Sequence, residues 1–141
     1  MKLKIVTLCT LALAGLMICN YGSGARAQEA EVIAGGEIEY DRYCAVCHGV
    51  DAKGQGVMAK YLTVRPTDLT MLRKKNADKF PFWETYGVID GRKDVLAHGT
   101  REMPIWGARF QVAAGGNDRA ARAQVMGEIL SLVFYLQSLQ Q

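Results

Sequence analysis

The sequence predicts an all-α fold, and three observations carry that prediction. Gly36, Tyr40 and Cys44 recur at four-residue spacing and so share one face of a helix. Val125, Ile129, Leu132 and Leu136 form a second stripe of this kind, behind a capping residue at Asn117 or Asp118. No segment shows the alternation of apolar and polar residues that a half-buried strand requires.

The elements follow in order. Lys2 and Lys4 precede an apolar run from Ile5 to Ile18, and the small-residue site Ala25-Arg26-Ala27 stands before Gln28. This is the three-part pattern of a secretory signal peptide, with cleavage expected after Ala27. Residues 1–27 would leave, and residues 28–141 would form one domain in the periplasm. The apolar run is short for a membrane span. Retention as a membrane anchor is the alternative, and the mature chain has no span of its own. Leu16-Met17-Ile18-Cys19 hints at a lipoprotein signal, but Ile18 is bulky where a small residue is wanted.

A helix is expected from about Val32 to Cys47, with Gly36 permitting close approach of another helix. Gly49 to Gly56 reads as a loop. Pro66-Thr67-Asp68 marks the start of a short helix over Leu69 to Asn76. Another is expected from Pro81 to Val88, ending near Asp90-Gly91, and the stretch from Gly99 to Gly107 reads as irregular. Gly115-Gly116-Asn117-Asp118 is a turn before a long helix from Arg119 to Leu139, with Val133 and Tyr135 beside its apolar stripe. There is no internal repeat and no low-complexity linker.

The full chain carries 17 basic and 14 acidic residues. Lys2, Lys4 and Arg26 belong to the signal, so 14 of each sign remain. The basic balance is thus a property of the signal and gives no argument for nucleic acid. Charge is uneven all the same. Residues 28–51 hold Glu29, Glu31, Glu37, Glu39, Asp41 and Asp51 against Arg42, whereas residues 65–79 hold Arg65, Arg73, Lys74, Lys75 and Lys79 against Asp68 and Asp78. The basic lobe suits either the steering of an acidic partner or an ordinary solvated face.

The chemistry concentrates in Cys44-Ala45-Val46-Cys47-His48. Cys9 and Cys19 leave with the signal, so Cys44 and Cys47 are the cysteines of the mature chain. Two thiols on one helical turn, with a histidine directly after, form the attachment site of a c-type haem. Each thiol can form a thioether to one vinyl group, and His48 falls beneath the iron as proximal ligand. A zinc site needs about four ligands, and His98 is the one further histidine. A thioredoxin-like CxxC needs a preceding strand, and the upstream sequence reads as helix. Since the haem consumes both thiols, no disulfide is expected.

The second axial ligand is sought among Met58, Met71, Met103 and Met126. Met103 is the best placed, 55 positions after His48 and stiffened by Pro104. Met58, Met71 and Met126 read as packing residues. His98, or an open iron, is the alternative. A thioether favours ferrous iron and gives a higher potential than a second imidazole. Arg65 or Arg92 could pair with a haem propionate or lie at the surface. Trp83 and Trp106 could pack on the haem or fill core.

Gly36-x-x-x-Tyr40-x-x-x-Cys44, the CxxCH run, Pro66, Met103-Pro104 and Leu132-x-x-Tyr135-Leu136 together resemble class I cytochrome c of the exported bacterial monohaem kind. The resemblance covers essentially all of residues 28–141. It implies a small cytochrome c fold in which the first and last helices cross, bringing Gly36 and Tyr40 against Leu132 and Tyr135, with loops wrapped round one covalent haem. It implies that the second ring N–H of His48 donates to the carbonyl of Pro66. His98 to Gly107 looks like the ligand loop of such proteins, while the charged Asn76–Arg92 region and the closeness of Trp106 to Met103 are departures. The implied function is not enzymatic: a periplasmic carrier of single electrons between redox partner proteins. The alternatives are a haem subunit of a larger exported oxidoreductase, and a ligand-binding or peroxidase-like protein with an open iron.

Overall fold

The computed structural model describes residues 24–92 and 103–141. The expected signal up to residue 23 and the candidate ligand His98 lie outside the described residues. Every regular element among them is helical, with no strand, which bears out the all-α class. The chain divides into two compact units, Met1–Glu31 and Val32–Gln141. The described part of the first, residues 24–31, is helical and exposed, and it contains the expected cleavage point.

The helix α1 covers residues 24–43. It is followed by α2 (Ala45–His48), a 3-10 turn (Ala59–Tyr61), a second 3-10 turn (Leu69–Met71) running into α3 (Leu72–Lys75), α4 (Phe82–Asp90), α5 (Trp106–Ala113) and α6 (Arg119–Ser138). No described helix is long and apolar enough to cross a membrane.

Helix α6 organises the core. Asp118 is its cap: the carboxylate accepts from Ala121 N–H at 2.8 Å, satisfying one of the N–H groups a helix start leaves without a partner. Val125, Ile129, Leu132, Val133, Tyr135 and Leu136 are buried as the periodicity predicts. Helix α1 meets α6 at Gly36. A Cβ there would stand 2.5 Å from the Ser131 carbonyl carbon and 2.9 Å from Tyr135 Cβ, so only glycine allows this approach. One turn on, Tyr40 is fully buried with its ring 5.3 Å from that of Tyr135. Such a pair adds about 0.5–1.5 kcal/mol beyond burial itself. Helices α4 and α5 pack on α6 and on each other.

Four expectations are corrected. The helix expected from Val32 to Cys47 begins earlier, and it breaks at Cys44, a turn residue that starts α2. The helix expected over Leu69–Asn76 is a 3-10 turn followed by α3. The stretch from Gly99 to Gly107 was expected to be irregular, but α5 already begins at Trp106; Gly107 sits inside it, where a Cβ would meet Asp90 at 2.5 Å. That glycine serves close packing of α5 on the end of α4 rather than a break. Met58 and Met126, expected in the core, are 41% and 54% exposed. Met126 sits one residue off the buried stripe at Val125, turned about 100° away round the helix.

Candidate functional site

A helix of four residues cannot stand alone, so α2 depends on what surrounds it. Gly49 ends it at φ 81° and its N–H donates to the Ala45 carbonyl at 2.8 Å. The loop beyond then returns three amides to the remaining carbonyls. Met58 N–H donates to Val46, Gly56 N–H to Cys47 and Gly54 N–H to His48, at 3.0, 3.0 and 2.7 Å. The acceptors left over at the end of this helix are thereby satisfied. From the other side, the Tyr40 hydroxyl donates to the Gly49 carbonyl at 2.6 Å. Burial, helped by Cys44, pushes the Tyr40 hydroxyl well above the ordinary tyrosine value, so it remains a donor.

His48 is buried, and its Nδ1 lies 3.1 Å from the Thr67 carbonyl. A carbonyl only accepts, so Nδ1 carries the proton and Nε2 the lone pair. This corrects the expected partner: the acceptor is Thr67, one residue beyond Pro66. The Pro66 carbonyl instead lies against Gly54, where a Cβ would stand 3.0 Å from the carbonyl carbon. Pro66 is buried and lines the smaller of two clefts described next.

Two clefts adjoin α2, one smaller than the other. Both have Cys44, His48 and Met103 in their walls. Cys47, Pro66, Pro104 and Trp106 also line the smaller one, and Leu69, Leu72, Val88, Ile89 and Leu132 are among the walls of the larger. Met103 is half-buried against the core, and the chain after it is fixed by packing. Ile105 sits on Gly91, while Trp106 stacks at 5.3 Å on Tyr43 and at 6.0 Å on Phe110. The Arg109 guanidinium covers Trp106 at 5.2 Å. The structure thus brings Cys44, Cys47, His48, Pro66 and Met103 to one place.

The donor chemistry fits a porphyrin. Cys44 and Cys47 are free thiols one helical turn apart. Burial pushes the Cys44 thiol up to about 12, with Cys47 and Glu39 adding to the shift. Redox-active CxxC pairs have the opposite perturbation, a lowered thiol. Among the described residues no three His, Cys, Asp or Glu side chains converge on a point where a metal ion could sit. The residues that could offer donors to a bound group here are His48, through an imidazole nitrogen, and Met103, through a thioether sulfur.

The other candidates lie elsewhere. Trp83 is 72% exposed and packs on Phe82 and Tyr86 at the surface. Arg65 and Arg92 are exposed, Arg92 paired with Asp90 and covering the Tyr86 ring at 5.9 Å. Neither arginine lines the two clefts. Sequence reasoning missed Tyr43, Thr67, Leu69 and Leu72. Tyr43 could have been found from its place directly before Cys44. Thr67 carries no side-chain signal, because its backbone carbonyl does the work.

No protein-family model, no curated protein and no solved structure matches this chain.

Proposed function

We propose that residues 28–141 act in the periplasm as a monohaem c-type cytochrome of class I, a carrier of single electrons between redox partner proteins. Haem c would be held covalently by Cys44 and Cys47, each S–H adding across one vinyl group to give a thioether with no oxidant required. His48 and Met103 would be the axial ligands. The observation that carries this reading is the state of the CxxCH turn: His48 has its Nδ1 proton committed to Thr67 and shares both cleft walls with Met103.

When bound, the haem supplies one-electron exchange at iron. The chain's own residues set its terms. The Thr67 carbonyl orients the imidazole and raises its basicity. As a ligand, the Met103 thioether would favour the ferrous state. Leu69, Leu72, Ile89 and Leu132 would offer a bound haem apolar contact. With both His48 and Met103 as ligands, no position would be left for a substrate, which would favour transfer over catalysis. Val46, Val50, Val57 and Tyr61, on and beyond the attachment turn, are 45%, 81%, 73% and 70% exposed. This apolar exposure also favours a second reading, a haem subunit seated in a larger exported oxidoreductase.

The test is the purified exported protein, its Cys44→Ala and Cys47→Ala variants, and the double variant. Intact mass and a haem stain on a denaturing gel should show one covalent haem in wild type and none in the double variant. Wild-type protein at the mass of the bare polypeptide would refute the reading. Sedimentation of the native protein separates a free carrier from a complex subunit.

A further inference from the structure

The segment from Thr67 to Arg73 is gripped on two sides. On the inner side, Leu69 N–H donates to the Ala52 carbonyl at 2.8 Å, and the Thr67 carbonyl accepts from His48 Nδ1 at 3.1 Å. Asp68 closes the turn, one carboxylate oxygen accepting from Thr70 N–H at 2.9 Å and from its hydroxyl at 2.7 Å. On the outer side stands Gln140, just past α6. Its Nε2 donates to the Leu69 carbonyl at 2.8 Å and to the Leu136 carbonyl at 2.7 Å. Its Oε1 accepts from Arg73 N–H at 2.9 Å. Gln141 N–H adds a bond to the Thr70 carbonyl at 3.1 Å.

The chemistry of this brace is specific. Two carbonyls need donors and one N–H needs an acceptor, and a primary amide offers both. A flipped amide would set oxygen against carbonyls and nitrogen against an N–H, so the network itself fixes the orientation. A carboxylate would serve Arg73 and repel both carbonyls. Leu69 and Leu72, which the brace holds, are walls of the larger cleft. Thr67 lies two residues before the braced carbonyl, within a turn that Asp68 makes rigid.

We propose that Gln140 is a positioning residue for His48. By tying Leu69 and Arg73 to α6, it holds the Thr67 carbonyl where the His48 Nδ1 proton is directed, and so fixes the tautomer and ring angle of the proximal ligand. The inference rests on the reading of His48 as the haem ligand.

The experiment measures hydrogen exchange of the His48 Nδ1 proton by NMR on the exported protein as isolated, in the ferrous state. Gln140→Ala should speed that exchange about tenfold, the scale set by losing one or two hydrogen bonds. The amides of Ile129 and Val133, in the core of α6, should keep wild-type rates. Gln140→Glu should behave like Gln140→Ala, because both donor bonds are lost. If exchange quickens only at Arg73 and Gln141, Gln140 merely ties down the chain beyond α6 and the proposal fails. Equal quickening at Ile129 and Val133 would assign Gln140 to global stability, and the proposal fails again. Wild-type protein without covalent haem, seen by intact mass, would refute the haem reading and the inference with it, whereas a wild-type His48 Nδ1 rate in haem-loaded Gln140→Ala would overturn the role of Gln140 alone.

Discussion

Replacing Gly36 by alanine tests the packing that closes this fold. The new Cβ would stand 2.5 Å from the Ser131 carbonyl carbon and 2.9 Å from Tyr135 Cβ. The obstacle is largely the backbone of α6, which cannot swing aside as a side-chain tip would. Overpacking of this kind costs about 1–3 kcal/mol, and contact with backbone places it at the upper end. Alanine recovers about 1 kcal/mol of helix propensity, which leaves a net loss of about 2 kcal/mol. Gly127 is the internal control: it lies within α6 and a Cβ there meets nothing within 4 Å. Gly127→Ala should therefore stabilise by about 1 kcal/mol. In urea unfolding followed by circular dichroism, with a slope of about 2 kcal/mol/M, the midpoint should fall by about 1 M for Gly36→Ala. For Gly127→Ala it should rise by about half that. If Gly36→Ala is stabilising like its control, α1 does not lie against Ser131 and the packing described above is wrong.

Other outcomes follow from the same structure. The hydroxyls of Tyr40, Tyr86 and Tyr135 are all held above the ordinary tyrosine value, with burial the first cause in each. The folded protein then keeps protons that the unfolded chain releases. Their contribution to stability is complete below about pH 10 and is lost as pH rises from there. The urea midpoint should decline through that window, and Tyr40→Phe should flatten the decline. Asp118→Ala removes the cap on Ala121 N–H and should cost about 1 kcal/mol, read as a lower thermal midpoint with unchanged helix content at room temperature.

Much of the fold can be read from residue spacing because α1 and α6 bury one face each. Tyr40, Val125, Ile129, Leu132 and Leu136 all reach the core at the positions their periodicity indicates. The Asp118 cap was legible for the same local reason, a short acceptor side chain directly before an apolar helix. Helix α5 escaped because the stretch from Gly99 to Gly107 read as irregular. Pro104 only precedes the helix, and Gly107 packs within it against Asp90. The CxxCH motif was legible because its residues are consecutive, but the break at Cys44 was not. The partner of His48 was misplaced by one residue, because the aim of a backbone carbonyl depends on dihedral angles that no side chain records. The brace at Gln140 joins residues 67 and 71 positions apart, a separation that local pattern does not reach.

The most direct measurement is the optical spectrum of the ferric protein at neutral pH, wild type beside Met103→Ala. Ligation by His48 and Met103 predicts a low-spin spectrum with the weak red sulfur-to-iron band, and loss of that band in the variant. A low-spin spectrum without the band in wild type would contradict Met103 and move the second ligand to His98. A high-spin wild-type spectrum that changes on addition of carbon monoxide after reduction would contradict the electron carrier altogether and point to an open iron.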